Sequence, residues 1–204
     1  MNLALKIIAW ARDRRKFRYL RFVVGCTKGA GSPYVQFSRL DFADKDGAYF
    51  DYPAGTQVTI SSGGPQAKEG PENIIDHSAY TKLCVASPAY PWTVTVDLGE
   101  GNVIDVRKFG HWEWWTANDY AERDPHRFAL ELSKDGAHWI RVDSSDIAVA
   151  DTRYALAYRG EIDRTLLRRT SVGGGGQSML IFSSRSYWPS RRSRAHSARW
   201  EAAA

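Results

Sequence analysis

Residues 91–99 read PWTVTVDLG and residues 19–27 read YLRFVVGCT. In the first, Trp92, Val94, Val96 and Leu98 fall on one face, and Thr93, Thr95 and Asp97 on the other. In the second, Leu20, Phe22, Val24 and Cys26 oppose Tyr19, Arg21, Val23 and Gly25. Successive side chains of an extended chain point to opposite sides, so this period of two predicts strands with one buried face. It excludes helices at these positions, whose apolar residues recur every three or four.

The same pattern extends outward. GAGSP (29–33) breaks the first strand with two glycines and a proline. YVQFSRLDF (34–42) alternates again, and Asp44-Lys45-Asp46-Gly47 has the composition of a hairpin turn with glycine at a left-handed position. Residues 48–52 and a strand over 56–60 follow, then the polar loop SSGGPQAKEGP (61–71) and a single helical turn at most in ENIID (72–76). Residues 103–116 read as a long strand or a bent pair. HRFALELS (126–133), the turn Lys134-Asp135-Gly136 and HWIRVDSS (138–145) form a further hairpin. Residues 151–170 fit a closing strand or a helix equally well. Many short strands with turns every ~8–12 residues predict an all-β sandwich or barrel.

The chain has 204 residues, enough for one domain with tails. No apolar run approaches the ~18–20 residues of a membrane helix, so no transmembrane segment is expected. Its net charge of +5 suggests an anionic partner, but the charge is unevenly spread. Residues 1–18 carry six basic side chains against one acidic, and residues 164–204 carry eight arginines against Glu201. The middle, 19–163, has 14 basic and 21 acidic residues. The basic character therefore belongs to the ends. The expected organisation is a basic arm or short helix over 1–16, a β-sandwich over 17–165, and a disordered Ser/Arg-rich tail over 166–204. Nucleic-acid contact is expected only through that arginine-rich tail, where Tyr187, Trp188 and Trp200 offer stacking surfaces.

The run GPENIIDHSAYTKLC (70–84), then PWTVTVDLGEG (91–101), then TANDYAERDPHRFALELSKDGAHW (116–139) resembles the discoidin, or coagulation-factor five/eight C-type, domain of the galactose-binding-like superfamily. The likeness spans about residues 19–146. It implies a jelly-roll β-sandwich that is mostly non-catalytic and binds glycans, phospholipid head groups or proteins through loops at one end. In most such domains the strands similar to YLRFVV and YVQFSRLDF come last, whereas here they come first. A permuted order is expected, with these strands pairing inside the same domain and the termini near each other.

The expected function is a non-catalytic module recognising carbohydrate through loops at one end of the sandwich, with a structural or protein-interaction module within a larger assembly as the alternative, so the partner is a glycan or a protein. The candidate ligand residues are His77, Tyr80, Trp115, Asn118, Asp119, Glu122 and Arg123. An amide, carboxylates and a guanidinium on one loop suit sugar hydroxyls or an anionic group, and Trp115 suits a sugar face. Each has a plainer alternative. Arg123 and Asp124 can hold their own loop, Asn118 and Asp119 can make local turn bonds, tryptophans are usually buried, and a loop histidine is usually solvated.

No cofactor and no metal are expected. Asp76 and Thr81 match loop positions that help hold calcium in some family members, but Arg39 stands where those members have a glutamate. An Arg39–Asp76 ion pair is expected instead. Cys26 and Cys84 are expected to be buried free thiols. No G-x-S-x-G, P-loop, H-E-x-x-H or zinc-type Cys/His spacing is present, so no enzyme is expected.

Overall fold

The computed structural model describes residues 15–29, 31–147 and 149–163. The tail expected over 166–204, and all but the last two residues of the arm expected over 1–16, lie outside the described residues. Within them the protein is all-β, with antiparallel sheets packed on one core as in a β-sandwich.

The strands are β1 (Lys16–Phe17), β2 (Tyr19–Thr27), β3 (Tyr34–Phe37), β4 (Arg39–Ala43), β5 (Gln57–Ile60), β6 (Gly64–Pro65), β7 (Leu83–Ala86), β8 (Trp92–Asp97), β9 (Ile104–Asp105), β10 (His111–Trp115), β11 (Pro125–Ser133), β12 (Trp139–Asp146) and β13 (Leu156–Glu161). One layer is a five-stranded sheet in the order β12-β11-β2-β8-β5. Its register puts the two alternating segments side by side: Leu20 faces Val96, Phe22 faces Val94 and Val24 faces Trp92. All six are fully buried, so the apolar face read from period two is the core face. The opposite face carries polar pairs, such as Arg21 beside Thr95 and Glu131.

Against this sheet lie two three-stranded sheets, β13-β10-β4 and β3-β7-β6. The segment YVQFSRLDF, continuous in its alternation, divides between them at Ser38. There the Ser38 N–H donates to the carbonyl of Trp115 at 3.0 Å, and its hydroxyl donates to that of Thr116 at 3.0 Å. Phe22 joins the layers, with its ring 5.1 Å from Phe37 and 5.8 Å from Trp112. Phe128 lies 5.4 Å from Trp114. Edge-to-face packing of this kind adds to the area each ring buries.

The strands that open the chain pair inside the same fold. Both described ends are tied to one segment: the Val106 N–H bonds to the Arg15 carbonyl, and the Ile162 N–H to that of Gly110. Residues 103–116 are a bent pair, β9 and β10, and the closing strand in 151–170 is β13. Residues 48–52 form no strand beyond a single bridge from Tyr49 to Ala43. In the turn before it, Asp44 accepts from the N–H groups of Asp46 and Ala48, and Gly47 takes the left-handed φ of +84°.

In the β11–β12 pair the register shifts between Leu130 and Glu131, leaving Val142 unopposed. Such a bulge re-aims the next side chain. Asp143 accepts from Trp112 Nε1 at 2.8 Å and from the Tyr158 hydroxyl at 2.9 Å. Burial pushes the Asp143 carboxyl above its ordinary value, and pushes the Tyr158 phenol up as well.

Candidate functional site: a polar cleft beside a closed ion cluster

Two groups of polar side chains gather in the smaller sheets and their loops. The first is an open cleft. β3 supplies Tyr34 and Gln36, the residue before β7 supplies Lys82, and the loop after β10 supplies Asp119 and Arg123. Lys82 is buried, with its ammonium 2.8 Å from Asp119 Oδ1, 3.3 Å from Glu69 Oε1 and 3.4 Å from Gln36 Oε1. A buried ammonium needs such partners, since stripping its water is costly. Gln36 then donates its amide to the carbonyls of Asp119 (2.5 Å) and Tyr120 (3.2 Å), which fixes the loop. Asn73 anchors the other wall through the carbonyls of Lys68 and Lys82.

The resulting hollow has a volume of about 360 Å³, lined by Tyr34, Glu69, Lys82, Cys84, Asp119 and Arg123 among others. Arg123 lies over two rings, 4.4 Å from the centroid of Tyr34 and 3.9 Å from that of Tyr120. The neighbouring Asp124 is held by Arg153, whose Nη1 donates to Asp124 Oδ1 at 3.0 Å and to the Asp119 carbonyl at 3.1 Å. Burial nevertheless keeps the Asp124 carboxyl above its ordinary value. Cys84 is buried in the cleft wall, and burial pushes its thiol up to about 11.

The backbone beside this loop is strained. Tyr120 and Tyr154 adopt φ of 39° and 55°, a region bulky side chains rarely enter. Tyr154 is anchored by its N–H on the Ala117 carbonyl, and its ring lies 5.4 Å from that of Tyr80. Tyr80 is 84% exposed, Tyr120 55% and Tyr154 42%. Aromatic surface is thus presented to solvent on a backbone that disfavours it.

The second group is closed. Asp41 is fully buried on β4, held by Arg39 Nε at 2.7 Å, Arg39 Nη2 at 2.6 Å and His77 Nδ1 at 2.6 Å. Burial is the largest influence on its carboxyl and raises it despite these cationic neighbours. Glu113, directly across on β10, is also fully buried, and accepts from Arg159 Nε at 2.7 Å. Trp115 and Tyr49 lie against the Arg39 guanidinium at 4.7 and 5.0 Å. Tyr49 and Tyr52 flank the His77 ring.

The candidates from the sequence therefore separate. Asp119 and Arg123 meet in the cleft. His77 and Trp115 belong to the closed cluster. Tyr80 pairs with Tyr154. Asn118 and Glu122 are exposed, and Glu122 packs so closely on Gly29 that a β-carbon there would lie 2.6 Å from its own. The expected Arg39–Asp76 ion pair is absent. Arg39 turns instead to Asp41, two residues along its own strand and so on the same face. Asp76 accepts from the Thr81 hydroxyl (2.6 Å) and the Ser78 N–H (2.8 Å). Cys26 and Cys84 are both free thiols, Cys26 only half-buried. Among the described residues no three metal-binding side chains cluster, and no helix is long and apolar enough to cross a membrane.

Lys82, Gln36 and Tyr154 were missed in the sequence. Lys82 carried a signal, as a lone ammonium immediately before the apolar strand LCVA. Tyr154 carried none, since its role depends on a backbone conformation.

Comparison with protein-family models, curated proteins and solved structures finds no match for the chain.

Proposed function

We propose that the protein is a carbohydrate-binding module whose site is the cleft between Lys82, Asp119 and Arg123. One observation carries the reading: a concave site of about 360 Å³ combines carboxylates, a guanidinium and tyrosine rings. Sugar hydroxyls are both donors and acceptors, so they suit a site presenting both kinds of partner on a rigid frame. Tyr80, Tyr120 and Tyr154 add exposed rings on which the apolar face of a pyranose can stack. The proposed activity is binding without a catalytic step.

The resemblance of about residues 19–146 to discoidin domains supports the same reading, and with it a jelly-roll sandwich of the galactose-binding type in permuted strand order. The test is a glycan array probed with the full chain and with Arg123→Ala. Binding that is lost in the variant, with an unchanged melting temperature, supports the proposal. Absence of any glycan signal, together with stable capture of a protein partner, replaces it with a protein-interaction role.

A further inference from the structure

Eight arginines between Arg18 and Arg159 have a carboxylate within ion-pair reach: Arg18, Arg21, Arg39, Arg107, Arg127, Arg141, Arg153 and Arg159. Within that span Arg123 is the exception among the described residues. Its guanidinium lies over the rings of Tyr34 and Tyr120, has no carboxylate of the described residues within ion-pair reach, and lines the cleft. The other cation of the cleft is spoken for, because Lys82 is surrounded by Asp119, Glu69 and Gln36. We propose that the cleft selects acidic saccharides, with the carboxylate of a uronic or sialic acid residue taken up by Arg123. This rests on the carbohydrate reading above and narrows it.

Ring contacts engage the flat face of a guanidinium and leave its N–H edge available. A planar carboxylate matches that edge with two parallel hydrogen bonds. Glu69 and Asp119 set an upper limit on ligand charge. Both are carboxylates in the same cleft, so a dianion such as a phosphate ester meets repulsion that a single carboxylate at the Arg123 side meets less. They also explain why a saccharide suits the cleft better than a bare anion, since each has acceptor capacity that hydroxyl groups can fill.

The test uses the full chain on an array holding neutral, uronate-bearing, sialylated, sulfated and phosphorylated glycans, followed by calorimetric titration of the strongest carboxylate-bearing ligand and its methyl ester. The expected result is preference for the carboxylate form by about tenfold or more. In Arg123→Gln that preference disappears, affinity falls to that of the ester, and the melting temperature is unchanged. Equal affinity for acid and ester, binding confined to neutral glycans, or stronger binding of sulfated or phosphorylated ones each overturns the inference while leaving a carbohydrate site intact. Silence across the whole array overturns the carbohydrate reading itself.

Discussion

The cleft and the ion cluster are built from similar materials and end in opposite states. Each sets carboxylates and cations among aromatic rings, on neighbouring strands of the smaller sheets. In the cluster, the Asp41 and Glu113 carboxylates both have guanidinium partners, and Arg39 is only 9% exposed. In the cleft, Lys82 is satisfied but Arg123 is not. Density of charge therefore does not mark a binding site in this molecule. The proposed site rests instead on a charged group held in place without an ion-pair partner, whose remaining hydrogen-bonding capacity is available to a ligand.

The contrast can be broken at four points. The largest effect is expected from Asp41→Ala. It strands the buried Arg39 guanidinium, and removing one partner of such a pair costs roughly 3–5 kcal/mol. Urea unfolding should show a loss of this size, and a loss below about 1 kcal/mol means that the cluster is open to water.

Alkylation of Cys84 comes next. With the thiol at about 11 against an ordinary 9.0, its thiolate fraction at pH 8 is lower by on the order of a hundredfold. Iodoacetamide should label the half-buried Cys26 well before Cys84, as peptide mass mapping will show. Equal rates contradict a closed cleft wall.

The third and smaller effect is a pair of glycine substitutions expected to differ in sign. His77 and Tyr154 both sit at left-handed φ, 60° and 55°, where glycine relieves strain of about 1 kcal/mol. His77→Gly also removes a bond to buried Asp41, so a net loss of about 1–2 kcal/mol is expected. Tyr154→Gly gives up only an exposed ring contact, so stability should hold or rise by up to ~1 kcal/mol while glycan affinity falls. Matching losses in both would mean that Tyr154 is structural.

The smallest effect concerns acid. Asp135 accepts from the N–H groups of Ala137 and His138 and pairs with the His138 ring, which hold its carboxyl well below the ordinary range. A carboxyl lowered in the folded state stabilises above its unfolded value, and that contribution is lost as pH falls toward the folded one. Stability should therefore decline from about pH 4 downward, and less steeply in Asp135→Asn. Identical slopes would remove Asp135 from the account.

How far the sequence discloses this molecule follows from the range of each signal. Period two located β2 and β8 because burial on one face acts residue by residue. The turn at Asp44–Gly47 was legible because its backbone demands particular residues. The break at Ser38 was not, since it depends on the carbonyls of Trp115 and Thr116, some 77 residues away. In the site, Asp119 and Arg123 were legible as a polar loop, but Trp115 and His77 were assigned to the same place when Arg39 and Asp41 draw them elsewhere. The Arg39–Asp41 pair was itself readable, because residues two apart on a strand share a face.

The central claim is that the cleft at Arg123, and not the neighbouring ion cluster, receives the ligand. Its most direct test is an NMR titration of the full chain with the best glycan from the array. The account predicts shifts at Tyr34, Lys82, Asp119 and Arg123, with His77, Glu113 and Arg159 unchanged. Shifts centred on His77 and Glu113, with Arg123 silent, would contradict it.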